Sequence, residues 1–186
     1  MFDASQFIAV TDRRACEGDL LACLERVAAV SPRALILREK DLNDEAYTVL
    51  ARQVMALCAR FSVPCFLHGH AAVARRLSCP RIHLSIPALR EMHSLADFDE
   101  VSVSCHSLAD VREAEAAGAS QVLLGNIFET ACKPGLAGKG LPFLREICNA
   151  SSLPVYAIGG ITPQNLPQVL DCGAAGGCMR SGFMRM

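Results

Sequence analysis

The residues of this chain that could do chemistry come in short polar clusters, each placed just after an apolar run. Arg38-Glu39-Lys40 follows Ala34-Leu35-Ile36-Leu37. Two cations there suit a phosphate or carboxylate, and Glu39 is read as orienting Arg38 or Lys40. His68-Gly69-His70 follows the run 63–67. Residues two apart on a strand point the same way, so two imidazoles could hold a transition metal. Such a site would also need carboxylates from neighbouring strand ends, where Asp and Glu are scarce, so no metal is assigned. Ser104 and His106 close the run 101–104, and Asn126, Thr130 and Lys133 lie in a long polar and glycine-rich loop, 125–140. Gly159-Gly160 ends the run Val155-Tyr156-Ala157-Ile158, and Thr162-Pro163 reads as the cap and first position of a helix. Glycines that bare the backbone amides beside a helix start would form a phosphate cradle. Ser181-Gly182, after a final glycine-rich run, supplies a second corner of the same kind.

Eight such runs must position these clusters. They begin with Phe7-Ile8-Ala9-Val10 and end with 176–179, and helical spacing separates them, as in Leu20, Leu24, Val27 and Ala28. Asn43 reads as the cap of a long second helix, and Ser107, or His106, as that of the fifth. Eight strands alternating with seven helices imply parallel βα units and favour a closed (β/α)8 barrel over an open sheet. In that fold the strand C-termini carry the site, which is where the clusters fall. The barrel is short, since about 250 residues is typical. No helix is expected after the last strand, which would leave apolar surface between the seventh and first helices for a homodimer to cover.

Composition excludes other classes. The net charge is −1, with 18 Lys+Arg against 19 Asp+Glu, so neither nucleic acid nor a membrane surface is an expected partner. No stretch approaches the roughly 18 uncharged apolar residues of a bilayer span. Ten cysteines, without CxxC spacing and without an export signal ahead of them, read as reduced core thiols of a single-domain cytoplasmic protein. No dinucleotide fingerprint or nucleoside-triphosphate loop occurs.

The ordered set Val10-Thr11-Asp12-Arg13, Leu37-Arg38-Glu39-Lys40-Asp41-Leu42, Val103-Ser104-Cys105-His106-Ser107-Leu108, Ala157-Ile158-Gly159-Gly160-Ile161-Thr162-Pro163 and Ser181-Gly182 resembles the thiamine phosphate synthase superfamily. The loop core Phe128-Glu129-Thr130-Ala131-Cys132-Lys133 is more similar to its TenI-like branch, the thiazole tautomerases. The resemblance implies a barrel that handles phosphorylated intermediates of thiamine synthesis, with a thiazole phosphate on Gly159, Gly160, Ser181 and Gly182.

Synthases of that superfamily join a hydroxymethylpyrimidine diphosphate to a thiazole phosphate. The resemblance places the diphosphate on Arg38, Lys40 and Lys133. It also implies a Mg²⁺ ion on two aspartates, at positions that here carry Gly69 and Ala88; His68 replaces an asparagine and Ile36 a glutamine. The tautomerases use a histidine at the position of Asn126, an amide that can bind but not titrate. The expectation is therefore a thiazole-phosphate isomerase with His106 or His68 moving the proton, Ser104, Asn126 and Thr130 helping to bind substrate, and no required cofactor. Synthase activity, with Mg²⁺, is the alternative, and a non-catalytic phosphate-ligand binder the third reading.

Overall fold

In the computed structural model, which describes residues 2–130, 135 and 137–186, eight parallel strands follow one another in sequence order around a closed barrel. They are β1 (Phe7–Val10), β2 (Ala34–Leu37), β3 (Cys65–His68), β4 (Arg81–Ser85), β5 (Glu100–Cys105), β6 (Gln121–Gly125), β7 (Val155–Ile158) and β8 (Gly176–Met179). The helices are α1 (Leu20–Ala29), α2 (Asp44–Arg60), α3 (Ala71–Arg76), α4 (Ile86–Arg90), α5 (Leu108–Ala116), α6 (Gly140–Ala150), α7 (Leu166–Leu170) and α8 (Ser181–Met184). The expected (β/α)8 barrel is thus present. Two compact units make it up: Met1–His83 with Asp97–Asp99 and Arg180–Met186, and Leu84–Ala96 with Glu100–Met179.

In the first unit β1 and β2 are buried at every position, as expected of parallel strands covered by helices. Leu20, Cys23, Leu24, Val27 and Ala28 recur at the spacing of one helix face and are the buried residues of α1. Asp19 starts that helix by accepting from the Ala22 N–H at 2.9 Å, and Asn43 does the same for α2 through Ala46. Leu35, Ile36, Leu37 and Leu67 have no exposed surface, and each such side chain contributes about 1.5–3 kcal/mol of burial.

The chain end corrects the expectation of a missing last helix. α8 is short, but it exists, and its Phe183 and Met184 are buried. The Phe183 ring packs on Phe2 and Phe7, with centroids at 6.1 and 6.4 Å. The Arg26 Nε–H donates to the Met186 carbonyl at 2.9 Å. The α1 side of the flank that suggested a homodimer is therefore covered from within the chain. Among the described residues Val49 and Met186 are the exposed large apolar side chains.

In the second unit Val103, Val122, Leu124, Ile127, Leu144, Ile147 and Val169 form the core, with no exposed surface. Ser107 caps α5 by accepting from the Asp110 N–H at 3.1 Å. The expected cap of the seventh helix is present, with the regular helix bounded at Leu166–Leu170. The Thr162 hydroxyl accepts the Asn165 N–H at 3.3 Å, the Asn165 side chain accepts the Thr162 N–H at 2.8 Å, and the Thr162 carbonyl accepts the Leu166 N–H at 3.0 Å, the reciprocal pattern of a capped helix start. Pro163 directly follows that cap, and the regular α7 runs from Leu166. Nine described cysteines are free thiols, seven of them buried; Cys132 lies outside the described residues. No described helix is long and apolar enough to cross a membrane.

Candidate functional site

The first unit gathers its polar groups at the ends of β1, β2 and β3. Thr11, directly after β1, is fully buried, and Glu39, two residues after β2, is 4% exposed. The Thr11 hydroxyl donates to Glu39 Oε1 at 2.7 Å and accepts from the Arg38 N–H at 2.9 Å. Glu39 also accepts from the Arg13 N–H at 3.1 Å and from Arg13 Nη1 at 3.3 Å. The guanidinium of Arg13 then grips Asp41 with two bonds of 2.6 Å, and Arg14 adds one of 2.7 Å. Arg13 holds the Asp41 carboxyl down at about 2. Arg180 pairs with Asp12 at 3.4 Å. Glu39 was expected to orient Arg38 or Lys40. Glu39 pairs with Arg13, and its bond to Thr11 links it to the Arg38 backbone.

His68 ends β3 and stands opposite His83 of β4 in register, with ring centroids 5.4 Å apart. Burial is the main reason that the His68 imidazole is depressed to about 4, and the charges of Arg38 and Lys40 add to it. His83 is 2% exposed and is pushed well down by burial, then by His68, Arg38 and Lys40. The structure thus brings Arg38, Lys40 and His68 together, around two rings that stay neutral at physiological pH. The Tyr47 hydroxyl donates to the Leu37 carbonyl at 2.7 Å and accepts the His68 N–H at 3.0 Å, which fixes the end of β3 to that of β2. His70 stacks on Tyr47 at 3.8 Å and bonds Asp44 at 2.6 Å through Nδ1, so it turns away to a partner of its own. Ser181 and Gly182 open α8.

The second unit has its own cluster after β5, β6 and β7. His106 is exposed and bonds the Gly125 carbonyl at 2.6 Å through Nδ1, while Lys139 Nζ donates to the His106 carbonyl. Ser104 is half-buried one residue from the end of β5. Asn126 is 4% exposed, and its Nδ2 donates to the Phe128 and Ala137 carbonyls at 3.3 and 3.5 Å. Backbone bonds from Lys139 to Asn126 and from Gly140 to Ile127, at 3.0 and 2.9 Å, close the base of the loop. Thr130 is half-buried on this loop; Lys133 lies outside the described residues.

Gly159 and Gly160 take left-handed φ values of +97° and +66°. A Cβ on Gly159 would sit 2.4 Å from Asn126 Cβ, and one on Gly160 would sit 2.7 Å from Phe128 Cβ and from the Glu129 carbonyl. Their bareness therefore lets the β6 loop close on β7. Thr162, two residues beyond Gly160, caps the turn that leads into α7, so these glycines stand just ahead of a capped helix start.

The positions where the resemblance implies Mg²⁺ do not fit that ion. Gly69 offers no side chain and Ala88 a methyl group, so neither supplies a carboxylate. Among the described residues no group of three or more His, Cys, Asp or Glu is arranged to hold a metal. Sequence reasoning missed Thr11, Arg13, Asp41, His83 and Lys139. Thr11 and Arg13 carried a signal, as polar residues following a buried strand; His83, within an apolar run, carried little.

A (β/α)8 barrel with cationic and imidazole groups at its strand ends is the class that fold and clusters define. Residues 7–183 match the TMP-TENI family, described as thiamine monophosphate synthase, and the chain belongs to it. It is 34% identical over 170 residues to the thiamine-phosphate synthase of Azoarcus sp. (strain BH72), which covers 89% of this chain and 82% of that protein. A thiamine-phosphate synthase of Halalkalibacterium halodurans is 31% identical over 167 residues, or 87% of this chain and 79% of that one. In fold, thiamine phosphate pyrophosphorylase from Pyrococcus furiosus superposes with a TM-score of 0.82 at 23% identity, covering 98% of this chain and 88% of that chain. These relatives are named as synthases, which overturns the expectation of a thiazole isomerase. The short loop core 128–133 pointed to the TenI-like branch, whereas similarity over most of the chain points to synthases.

Proposed function

We propose that the protein is a thiamine-phosphate synthase, joining a hydroxymethylpyrimidine diphosphate to a thiazole phosphate with loss of diphosphate. Its relatives of 31% and 34% identity bear that name. The observation that carries the reading is the first unit's anchored β2 exit. Arg38 and Lys40 leave β2 on a backbone pinned by Thr11 and Glu39, close to the neutral His68. As diphosphate departs, negative charge gathers on it, and fixed cations stabilise that charge more in the transition state than in the substrate. In this reading Arg38, Lys40 and Lys133 take the diphosphate. Gly159, Gly160, Ser181 and Gly182 take the thiazole phosphate, with Ser104, Asn126 and Thr130 as further substrate contacts. His68 presents an uncharged ring to the substrate, and His106 supports the β6 loop through Gly125. No step is assigned to a metal.

The test is turnover of purified protein with both precursors, with and without Mg²⁺, read as thiamine phosphate and diphosphate formed in equal amounts. Product formation in either condition supports the synthase; none in both refutes it. A second reading, a binder of the same phosphorylated ligands without turnover, is favoured by Gly69 and Ala88 standing where carboxylates were expected. Calorimetric binding of thiazole phosphate without turnover would select it.

A further inference from the structure

We infer that Thr11 is a positioning residue for Arg38, and so sets how tightly the chain holds a diphosphate. The inference rests on the proposed function for its ligand, but its geometry lies within the first unit. The side chain of Thr11 is sealed from solvent. A hydroxyl there has one hydrogen to donate and lone pairs to accept with, and both capacities are used. It donates to Glu39 Oε1 at 2.7 Å and accepts the Arg38 N–H at 2.9 Å, while the Thr11 N–H donates to the Ile36 carbonyl at 3.0 Å. Three bonds therefore join the first residue beyond β1 to the stretch on which Arg38 leaves β2.

The rest of the network holds Thr11 in turn. Glu39 is fixed by the Arg13 N–H and guanidinium, and Arg13 by its two-bond grip on Asp41. Residues 38, 39 and 41 are thus each tied to residues 11–14, and the hydroxyl bonds the Arg38 backbone directly. Replacing it by a methyl of the same shape leaves the Arg38 N–H and one Glu39 oxygen without that partner in a dry site, which the backbone relieves by shifting. A guanidinium displaced by even a fraction of an ångström loses its aim at a diphosphate.

The experiment compares Thr11→Val with Thr11→Ser, using inorganic pyrophosphate as the calorimetric probe and steady-state kinetics with both precursors as the second readout. T11V should weaken pyrophosphate binding about tenfold or more. It should raise KM for the pyrimidine diphosphate by a similar factor and leave KM for the thiazole phosphate within about twofold. T11S, which keeps the hydroxyl, should restore both. Glu39→Gln, which keeps shape but removes the charge, should show the same split between substrates and covers the case of a T11V that does not fold. Unchanged pyrophosphate affinity in T11V, or equal losses for both substrates, overturns the inference and leaves the synthase reading standing. A wild-type protein that binds pyrophosphate without turnover overturns the synthase reading, while the T11V and T11S affinities still decide the inference. No pyrophosphate binding by wild type overturns both.

Discussion

Gly159→Ala is expected to be among the costlier single-methyl changes in this chain, and the structure supplies its control. Gly159 has φ of +97°, and an added Cβ would meet Asn126 Cβ at 2.4 Å and Asn126 Cα at 2.8 Å. Neither atom is the far end of a flexible side chain, so the β6 loop must move. Gly118, at the end of α5 in the same unit, has a similar φ of +85° with nothing within 4 Å of the added carbon. Gly118→Ala therefore incurs only the left-handed backbone penalty, about 1–2 kcal/mol. Gly159→Ala adds overpacking of about 1–3 kcal/mol to the same penalty. Urea unfolding should show both midpoints lowered at an unchanged m-value, with G159A below G118A by that second amount. In a chain of this size each kcal/mol lowers Tm by about 2–4 °C. If the two variants lie within about 0.5 kcal/mol of each other, the close packing of the β6 loop on Gly159 is refuted.

Acid should destabilise the protein before its carboxylates titrate. His68 and His83 both bind a proton less readily folded than unfolded, so the unfolded chain takes up the extra protons. Stability is then full above the unfolded histidine value of 6.5 and falls as the pH drops toward about 4, by up to about 1.4 kcal/mol per pH unit for each imidazole. Urea midpoints at pH 7.5, 5.5 and 4.5 check this, and a flat profile would contradict it. Phe183→Ala should cost about 3–5 kcal/mol, because the ring is fully buried against Phe2 and Phe7; a loss below 1 kcal/mol by thermal unfolding would mean that the chain end does not seal α1. His106→Gln should lower kcat/KM for thiamine phosphate formation about tenfold, through the lost bond to Gly125, without changing the shape of its pH profile. A pH profile that loses a limb would instead make His106 a titrating participant.

Local signals along the chain determined much of the scaffold, since a strand's burial and a helix's start depend on near neighbours. The runs Phe7–Val10 and Ala34–Leu37 are strands with those same bounds, and Asn43 and Ser107 cap the helices that follow them. The polar clusters at strand ends were likewise readable, because parallel βα units deliver such residues by chain order alone. Which of those residues touch was not readable. Glu39 could have paired with any of several cations, and only the alignment of β1 beside β2 gives it Thr11 and Arg13, residues 28 and 26 positions away. His83 sat in an apolar run, and only the pairing of β3 with β4 sets it beside His68. Thr162-Pro163 was by contrast legible as a helix start, since the exchange of bonds between Thr162 and Asn165 is a local cap. Gly159 and Gly160 looked bare for a ligand's sake, and the tertiary structure shows them bare also for the β6 loop. Periodicity and capping are properties of a few consecutive residues, whereas the partner of a buried charge or a bare glycine is decided by strand register and loop closure, which no local pattern encodes.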